Sequence, residues 1–170
     1  MGYTLLTGGA RSGKSAMAQR IALAAGPAVT VVVTAEARDE EMSDRIRRHR
    51  AERPAQWSTL EAPIDVLGAI RSARADDFVI LDCLTLWVSN LLEAARDAAD
   101  ITATASRVAR ELAGRRAVVV TNEVGLGVVP ANDLARRYVE VLGAVNACFA
   151  DSAERALLMV AGRAIELAPP

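Results

Sequence analysis

Apolar residues in this chain fall into two alternating arrangements. Tyr3–Thr7, Ala28–Thr34, Phe78–Asp82, Ala117–Asn122 and Ala156–Val160 are short, nearly unbroken apolar runs rich in β-branched residues and leucine. Runs of this length predict strands, and their lack of polar alternation predicts parallel strands covered on both faces. Longer segments with helical spacing lie between them. These predict helices over Lys14–Ala25, Asp39–Arg53 and Ile64–Arg74, one or two within Leu84–Arg116, and a last one from about Asn132 to Ser152. Strand and helix in regular alternation predict one doubly wound α/β domain spanning residues 1–170.

Two helical segments carry further pattern. In the last, Leu134, Tyr138, Val141, Leu142, Val145, Cys148 and Phe149 recur on one face, with Arg136, Arg137 and Glu140 on the other. The second opens with Asp39, Glu40 and Glu41 and closes with Arg47, Arg48 and Arg50, an order that suits the helix dipole, and Pro54 stops it. The final strand turns at Ala161-Gly162 into Arg163–Leu167, which predicts an antiparallel edge hairpin. No repeat, linker or low-complexity tract interrupts the chain.

Composition narrows the class. The 170 residues are 52% hydrophobic with a net charge of −1, so no basic footprint points to nucleic acid. The apolar runs are strand-sized, so no membrane span is expected. The start runs directly into Tyr3–Thr7, so a signal peptide is not expected and a cytoplasmic location is. Cys83 and Cys148 lack metal-type spacing and read as buried thiols. One bias bears on chemistry: of 20 basic residues, Lys14 is the only lysine, and His49 is the only histidine.

Gly8-Gly9-Ala10-Arg11-Ser12-Gly13-Lys14-Ser15 fits G-x-x-x-x-G-K-[ST], with a strand predicted before it and a helix after it. The glycines let successive backbone N–H groups face one anion, and the helix start adds free donors and a positive dipole end. Lys14 is placed to reach the β- and γ-phosphates of a nucleoside triphosphate, and Ser15 to offer a hydroxyl to Mg2+. A chain that uses arginine almost everywhere uses a compact ammonium here, and the two cations are not interchangeable at such a site. Phe78–Asp82 ends an apolar strand in a carboxylate, which puts Asp82 at the ligand-binding edge of the sheet as a second Mg2+ ligand or a proton acceptor. The reading that Asp82 only caps the next helix stays open. Glu123 follows the fourth apolar run in the same way, and is either a crevice residue or a turn residue.

His49 lies among five arginines, Arg45, Arg47, Arg48, Arg50 and Arg53, and shares a helical face with Met42 and Ile46. Spacing alone suits a packed or half-exposed helix histidine. The arginines could form a solvated face or clamp a polyphosphate, and a neutral imidazole among them would be a competent nucleophile toward phosphorus.

Taken together, these residues resemble the bifunctional adenosylcobinamide kinase / adenosylcobinamide-phosphate guanylyltransferase family. The resemblance runs through Thr7–Ser15, Thr34–Glu36, Asp39–Met42, Arg45–Pro54, Trp57–Pro63, Leu81–Asn90, Thr121–Asn132 and Ala135-Arg136. Ala131 stands where glutamate is common in the family, Asp82 where some members carry glutamate, and Gly162–Pro170 match loosely. The resemblance implies a RecA-like P-loop fold, a trimer, and two reactions. ATP or GTP phosphorylates adenosylcobinamide. GTP then guanylylates a histidine, which falls on His49, and GMP passes to adenosylcobinamide phosphate to give adenosylcobinamide-GDP. The family's nucleotide contacts fall on Gly8–Ser15, on Thr34, Ala35 and Glu36, on Arg50, Ala51, Glu52 and Arg53, and on Glu61 and Asp82. One loop serving two reactions implies that the histidine helix moves between them.

Three other readings compete. A plain small-molecule kinase needs Lys14, Ser15 and Asp82 but not His49. A regulatory GTPase would read guanine through Asn-Lys-x-Asp, which a chain with Lys14 as its only lysine does not contain. A RecA-like motor would need a basic nucleic-acid surface.

Overall fold

The computed structural model describes residues 1–169, except for the side chains of Glu41 and Arg45. The acidic opening and the arginine cluster of the second helix therefore each include one side chain outside the described residues. Seven strands and six helices follow in the order β1 (Gly2–Gly8), α1 (Lys14–Ala25), β2 (Val29–Val33), α2 (Glu40–Ala51), β3 (Ser58–Glu61), α3 (Val66–Ser72), β4 (Phe78–Asp82), α4 (Leu84–Glu93), α5 (Ala98–Ala113), β5 (Arg116–Val120), α6 (Asp133–Ser152), β6 (Arg155–Val160) and β7 (Arg163–Leu167).

The strands form one sheet in the order β3-β2-β4-β5-β1-β6-β7. All neighbours pair in parallel except β6 and β7, the expected antiparallel edge. Successive side chains of each parallel strand enter opposite cores, which is why the strands read as unbroken apolar runs. Tyr3, Leu5, Val79, Leu81 and Val119 pack with α3, α4, α5 and α6 on one face. Leu6, Phe78, Ile80, Val118 and Val120 pack with α1 and Trp57 on the other. None of the described side chains of helix α2 contributes to either core.

Three differences from the sequence expectations have physical causes. Strand β3 was not expected, because Ser58-Thr59-Leu60-Glu61 carries one large apolar residue and sits at an edge with few core contacts. Its register sets Glu61 beside Val33, close to the sheet's C-terminal edge. Strand β5 ends at Val120, so Thr121 and Asn122 begin a loop. The apolar face of α6 is buried at Val141, Leu142, Val145 and Phe149, yet Leu134 is 72% exposed, because the first turn extends past the core. Among the described residues no helix is long and apolar enough to cross a membrane.

Candidate active site

The P-loop leaves β1 through residues that only a sharp turn requires. Gly8 has φ of 144°, and a Cβ there would lie 2.3 Å from the Met159 carbonyl oxygen. Gly13 has φ of 98° and caps α1 without a side-chain bond, so the first N–H groups of α1 remain directed at the loop. The turn between β6 and β7 buttresses this loop: Gly162 N–H donates to Ser12 O at 3.0 Å. Lys14 is only 7% exposed, and its Nζ donates to the carbonyls of Gly8 at 2.9 Å and Gly9 at 2.6 Å. The ammonium is thus drawn into the curl of the loop, where a longer, planar guanidinium would not fit in the same way.

Two large cavities open at the C-terminal edge of the sheet. One, of about 610 Å³, is walled by the P-loop from Ala10 onward, with Arg48, Glu52 and Asn122 opposite. The other, of about 510 Å³, lies between α2, the end of β3 and α4, and is lined by Ala35, Glu36, Arg50, Arg53 and Glu61. Ser15, His49, Asp82 and Cys83 line both. His49 therefore stands on the wall that the two cavities share. Met42 and Ile46 line the second cavity with it, so the predicted common face of α2 exists but looks onto open space rather than into a core.

Asp82 is held from the side. Arg53, 10% exposed along its side chain, places Nη2 3.4 Å from Asp82 Oδ2. Burial pulls the Arg53 guanidinium below its ordinary pKa, and the Asp82 carboxylate opposes that shift. Burial first, and then the Asp82 charge, push the neighbouring Cys83 thiol up to about 11, so it is not a thiolate at neutral pH. Cys83 and Cys148 are both free.

The expected contact residues do not all reach a cavity wall. Gly8, Gly9, Thr34 and Ala51 line neither large cavity. Thr34 is fully buried and ties strands together: its Oγ1 donates to Cys83 O at 2.7 Å and accepts from Cys83 N–H at 3.0 Å. Asn90 Nδ2 donates to Thr34 O at 2.8 Å, and Asn90 Oδ1 accepts from Arg38 at 3.1 Å. Arg38 also donates to Glu36 at 2.7 Å and pairs with Glu93, so the loop after β2 is latched to α4. Sequence reasoning missed Arg38, whose partners are distant along the chain. It also missed Asn122 by one place. Of the two readings of Glu123 the turn residue agrees with the structure, since its Oε1 accepts from Gly125 N–H at 2.7 Å, and Asn122 lines the phosphate-loop cavity.

The donor set at the junction suits Mg2+. Ser15 and Asp82 line both cavities, and no group of three His, Cys, Asp or Glu side chains is assembled for a metal among the described residues. Mg2+ usually takes one or two protein oxygens and completes its shell with phosphates and water.

A phosphate loop, an acidic strand end and a histidine on the wall between two cavities meet at the C-terminal edge of the sheet. The family model "Cobinamide kinase / cobinamide phosphate guanyltransferase" matches residues 4–167. The chain belongs to this family. It is 45% identical over 167 residues to the bifunctional adenosylcobalamin biosynthesis protein CobP of Pseudomonas aeruginosa, covering 93% of this chain and 92% of that protein. It is 36% identical over 179 residues to the bifunctional protein CobU of Salmonella typhimurium, covering 96% and 98% respectively. Among solved structures it resembles the flagellar accessory protein FlaH of Methanocaldococcus jannaschii, with a TM-score of 0.52 and 16% identity over 98% of this chain and 77% of that one. The P4 protein of bacteriophage phi6 in complex with ADP gives a TM-score of 0.53 with 18% identity, over 96% of this chain and 54% of that one. These two likenesses concern the fold, a P-loop sheet of the expected kind.

Proposed function

We propose that this protein phosphorylates adenosylcobinamide with ATP or GTP and then transfers GMP from GTP to adenosylcobinamide phosphate through a guanylyl-His49 intermediate. The observation that carries this reading is the place of His49 on the wall common to the two cavities. A plain kinase has no use for a histidine there.

In the first reaction, the acceptor hydroxyl oxygen bonds to the γ-phosphorus and the diphosphate leaves. Lys14 and the free N–H groups of the loop balance the phosphate charge. In the second, a neutral His49 nitrogen attacks the α-phosphorus of GTP and pyrophosphate leaves. A phosphate oxygen of the acceptor then displaces the imidazole, regenerating His49. Arg48 and Arg50 flank His49 on α2 and offset charge on either side. Arg53 holds the Asp82 carboxylate from the side, with Nη2 3.4 Å from Oδ2. Mg2+, when bound by Ser15 and Asp82, supplies charge neutralisation on the phosphates. Glu36 and Glu61 are carboxylates on the wall of the second cavity, suited to accept from the N–H groups of guanine.

The test is incubation with GTP labelled at the α-phosphate. Wild type is expected to take an acid-labile, alkali-stable label. His49→Ala is expected to take none while still phosphorylating adenosylcobinamide to within a few-fold of wild type. Label retained by the variant would sink the covalent step.

The reading includes a cytoplasmic trimer. Leu126, Val128 and Val129 are exposed in one loop after β5 and offer apolar side chains to a subunit contact. Light scattering that gives a monomer at micromolar concentration would remove the trimer.

A further inference from the structure

Helix α4 is fixed by its apolar face, since Trp87, Val88 and Leu91 are buried in a core. Asn90 on the same helix is only 6% exposed, and both N–H groups of its carboxamide are spent on the main chain. Nδ2 donates to Thr34 O at 2.8 Å, just beyond β2, and to Pro63 O at 3.0 Å, just beyond β3. Trp87 Nε1 adds a bond to Ile64 O at 2.9 Å. Asn90 Oδ1 accepts from Arg38 Nη2 at 3.1 Å. Arg38 Nε in turn donates to Glu36 Oε2 at 2.7 Å, Nη2 reaches the same oxygen, and Nη1 pairs with Glu93 at the end of α4.

A buried polar group is costly unless it is satisfied, and here its partners are the two segments that leave the sheet edge. Each segment carries a carboxylate of the cavity between α2, β3 and α4: Glu36 after β2, and Glu61 at the end of β3. Four of the five N–H groups of Arg38 are engaged by the protein, so this side chain is a strut rather than a ligand contact. It takes Oε2 of Glu36 alone, and Oε1 has no partner among the described residues. A carboxylate oxygen only accepts. Guanine presents N–H donors along the edge where adenine presents a lone pair and a C–H. A carboxylate held in place therefore attracts the first base and repels the second, whereas one free to swing away discriminates less.

We propose that Arg38 and Asn90 are positioning residues that set the choice of guanine over adenine: Asn90 fixes the segment after β2, and Arg38 fixes the Glu36 carboxylate with one oxygen occupied and the other left for the base. This rests on the functional reading above, in which Glu36 accepts from guanine. The two reactions of that reading differ in what becomes of the base. Phosphorylation of the acceptor discards it with the diphosphate, whereas guanylyl transfer carries it through His49 into the product. Selection of the base therefore has its consequence in the second reaction.

The experiment compares wild type, Glu36→Gln, Arg38→Met, the double variant and Asn90→Ala, with a melting temperature recorded for each. Calorimetry measures affinity for GDP and for ADP, which needs neither a corrinoid nor chemistry at His49. Wild type is expected to prefer GDP. Glu36→Gln is expected to lose about tenfold or more of that preference, the scale of a hydrogen bond to a charged group, and Arg38→Met about threefold or more. In the Glu36→Gln background, Arg38→Met is expected to change the ratio less than about twofold, because Arg38 acts through that carboxylate. Asn90→Ala is expected to lose part of the ratio along with some melting temperature. Arg38 is 45% exposed along its side chain, so Arg38→Met tests the proposal even where Asn90→Ala fails to fold. A wild type without guanine preference overturns the proposal. So does an unchanged ratio in Arg38→Met, an equal loss of both affinities, or the same cost of Arg38→Met with and without Glu36. A folded Asn90→Ala with the wild-type ratio overturns the part assigned to Asn90. Wild type that prefers GDP yet takes no label from GTP labelled at the α-phosphate would defeat the covalent step and leave this proposal standing.

Discussion

The two regions that meet at this site are built in opposite ways. The P-loop and α1 are locked into the molecule: Lys14 is buried, Ala18 and Ala22 of α1 enter a core, and the β6–β7 turn bonds to the loop from behind. Helix α2 carries His49, yet none of its described side chains joins either core. It is held by its cap, by Arg53 beyond its end and by charged side chains that water also satisfies. Asp39 accepts from Met42 N–H at 2.7 Å, and the Arg53–Asp82 contact is 3.4 Å. On the proposed function, the difference teaches that the fixed half suits the group common to both reactions, and the loosely tethered half suits the group used in one. Elements with few buried contacts open at low free-energy cost. That supports movement of α2 between the two reactions.

Substitutions can break this contrast. The largest effect is the loss of labelling in His49→Ala, confined to guanylyl transfer. Lys14→Ala should instead lower both reactions together, by about 10²–10³-fold, as removal of one preorganised donor to transferring charge does elsewhere. Assaying both activities in both variants would collapse the contrast if Lys14→Ala spared either one.

The smallest effect is the sharpest. Asp39 and Asp97 make the same cap bond, 2.7 Å to the N–H three residues on. Each cap is worth about 1 kcal/mol. Asp97 starts α5, whose Ile101, Val108 and Leu112 are buried, so Asp97→Ala should lower the melting temperature. Asp39→Ala should leave the melting temperature nearly unchanged and speed hydrogen exchange within residues 40–51 alone. Equal melting shifts would show that α2 is coupled to the core after all. Addition of GTP should slow exchange in α2; unchanged exchange would count against its movement.

How much was legible follows from the same contrast. The P-loop is a local motif, in which one strand, one turn and one helix start supply every part, so eight consecutive residues and their flanks announce it. The strand cores are legible because burial on both faces removes polar residues from the run. Strand β3 was not, since an edge strand of four residues carries no such signature. Arg38 was not, because Glu93 and Asn90 meet it only when α4 folds against the loop after β2. Asn122 was hidden because the strand ends two residues before it, so no alternation marks its place. The carboxylate next to it drew attention, and the register then turned that carboxylate back on its own loop.

The sequence by itself determined the fold class, the phosphate loop, the lone lysine at its centre and the histidine helix with its arginines. These are set by local spacing and by the short-range physics of turns, caps and buried strands. Only the tertiary structure decided that β5 lies between the two phosphate-handling strands, that His49 stands on a wall shared by two cavities, and that Arg53 reaches Asp82. Those relations depend on which strands become neighbours. That is settled by packing across the whole sheet, so no run of adjacent residues encodes it.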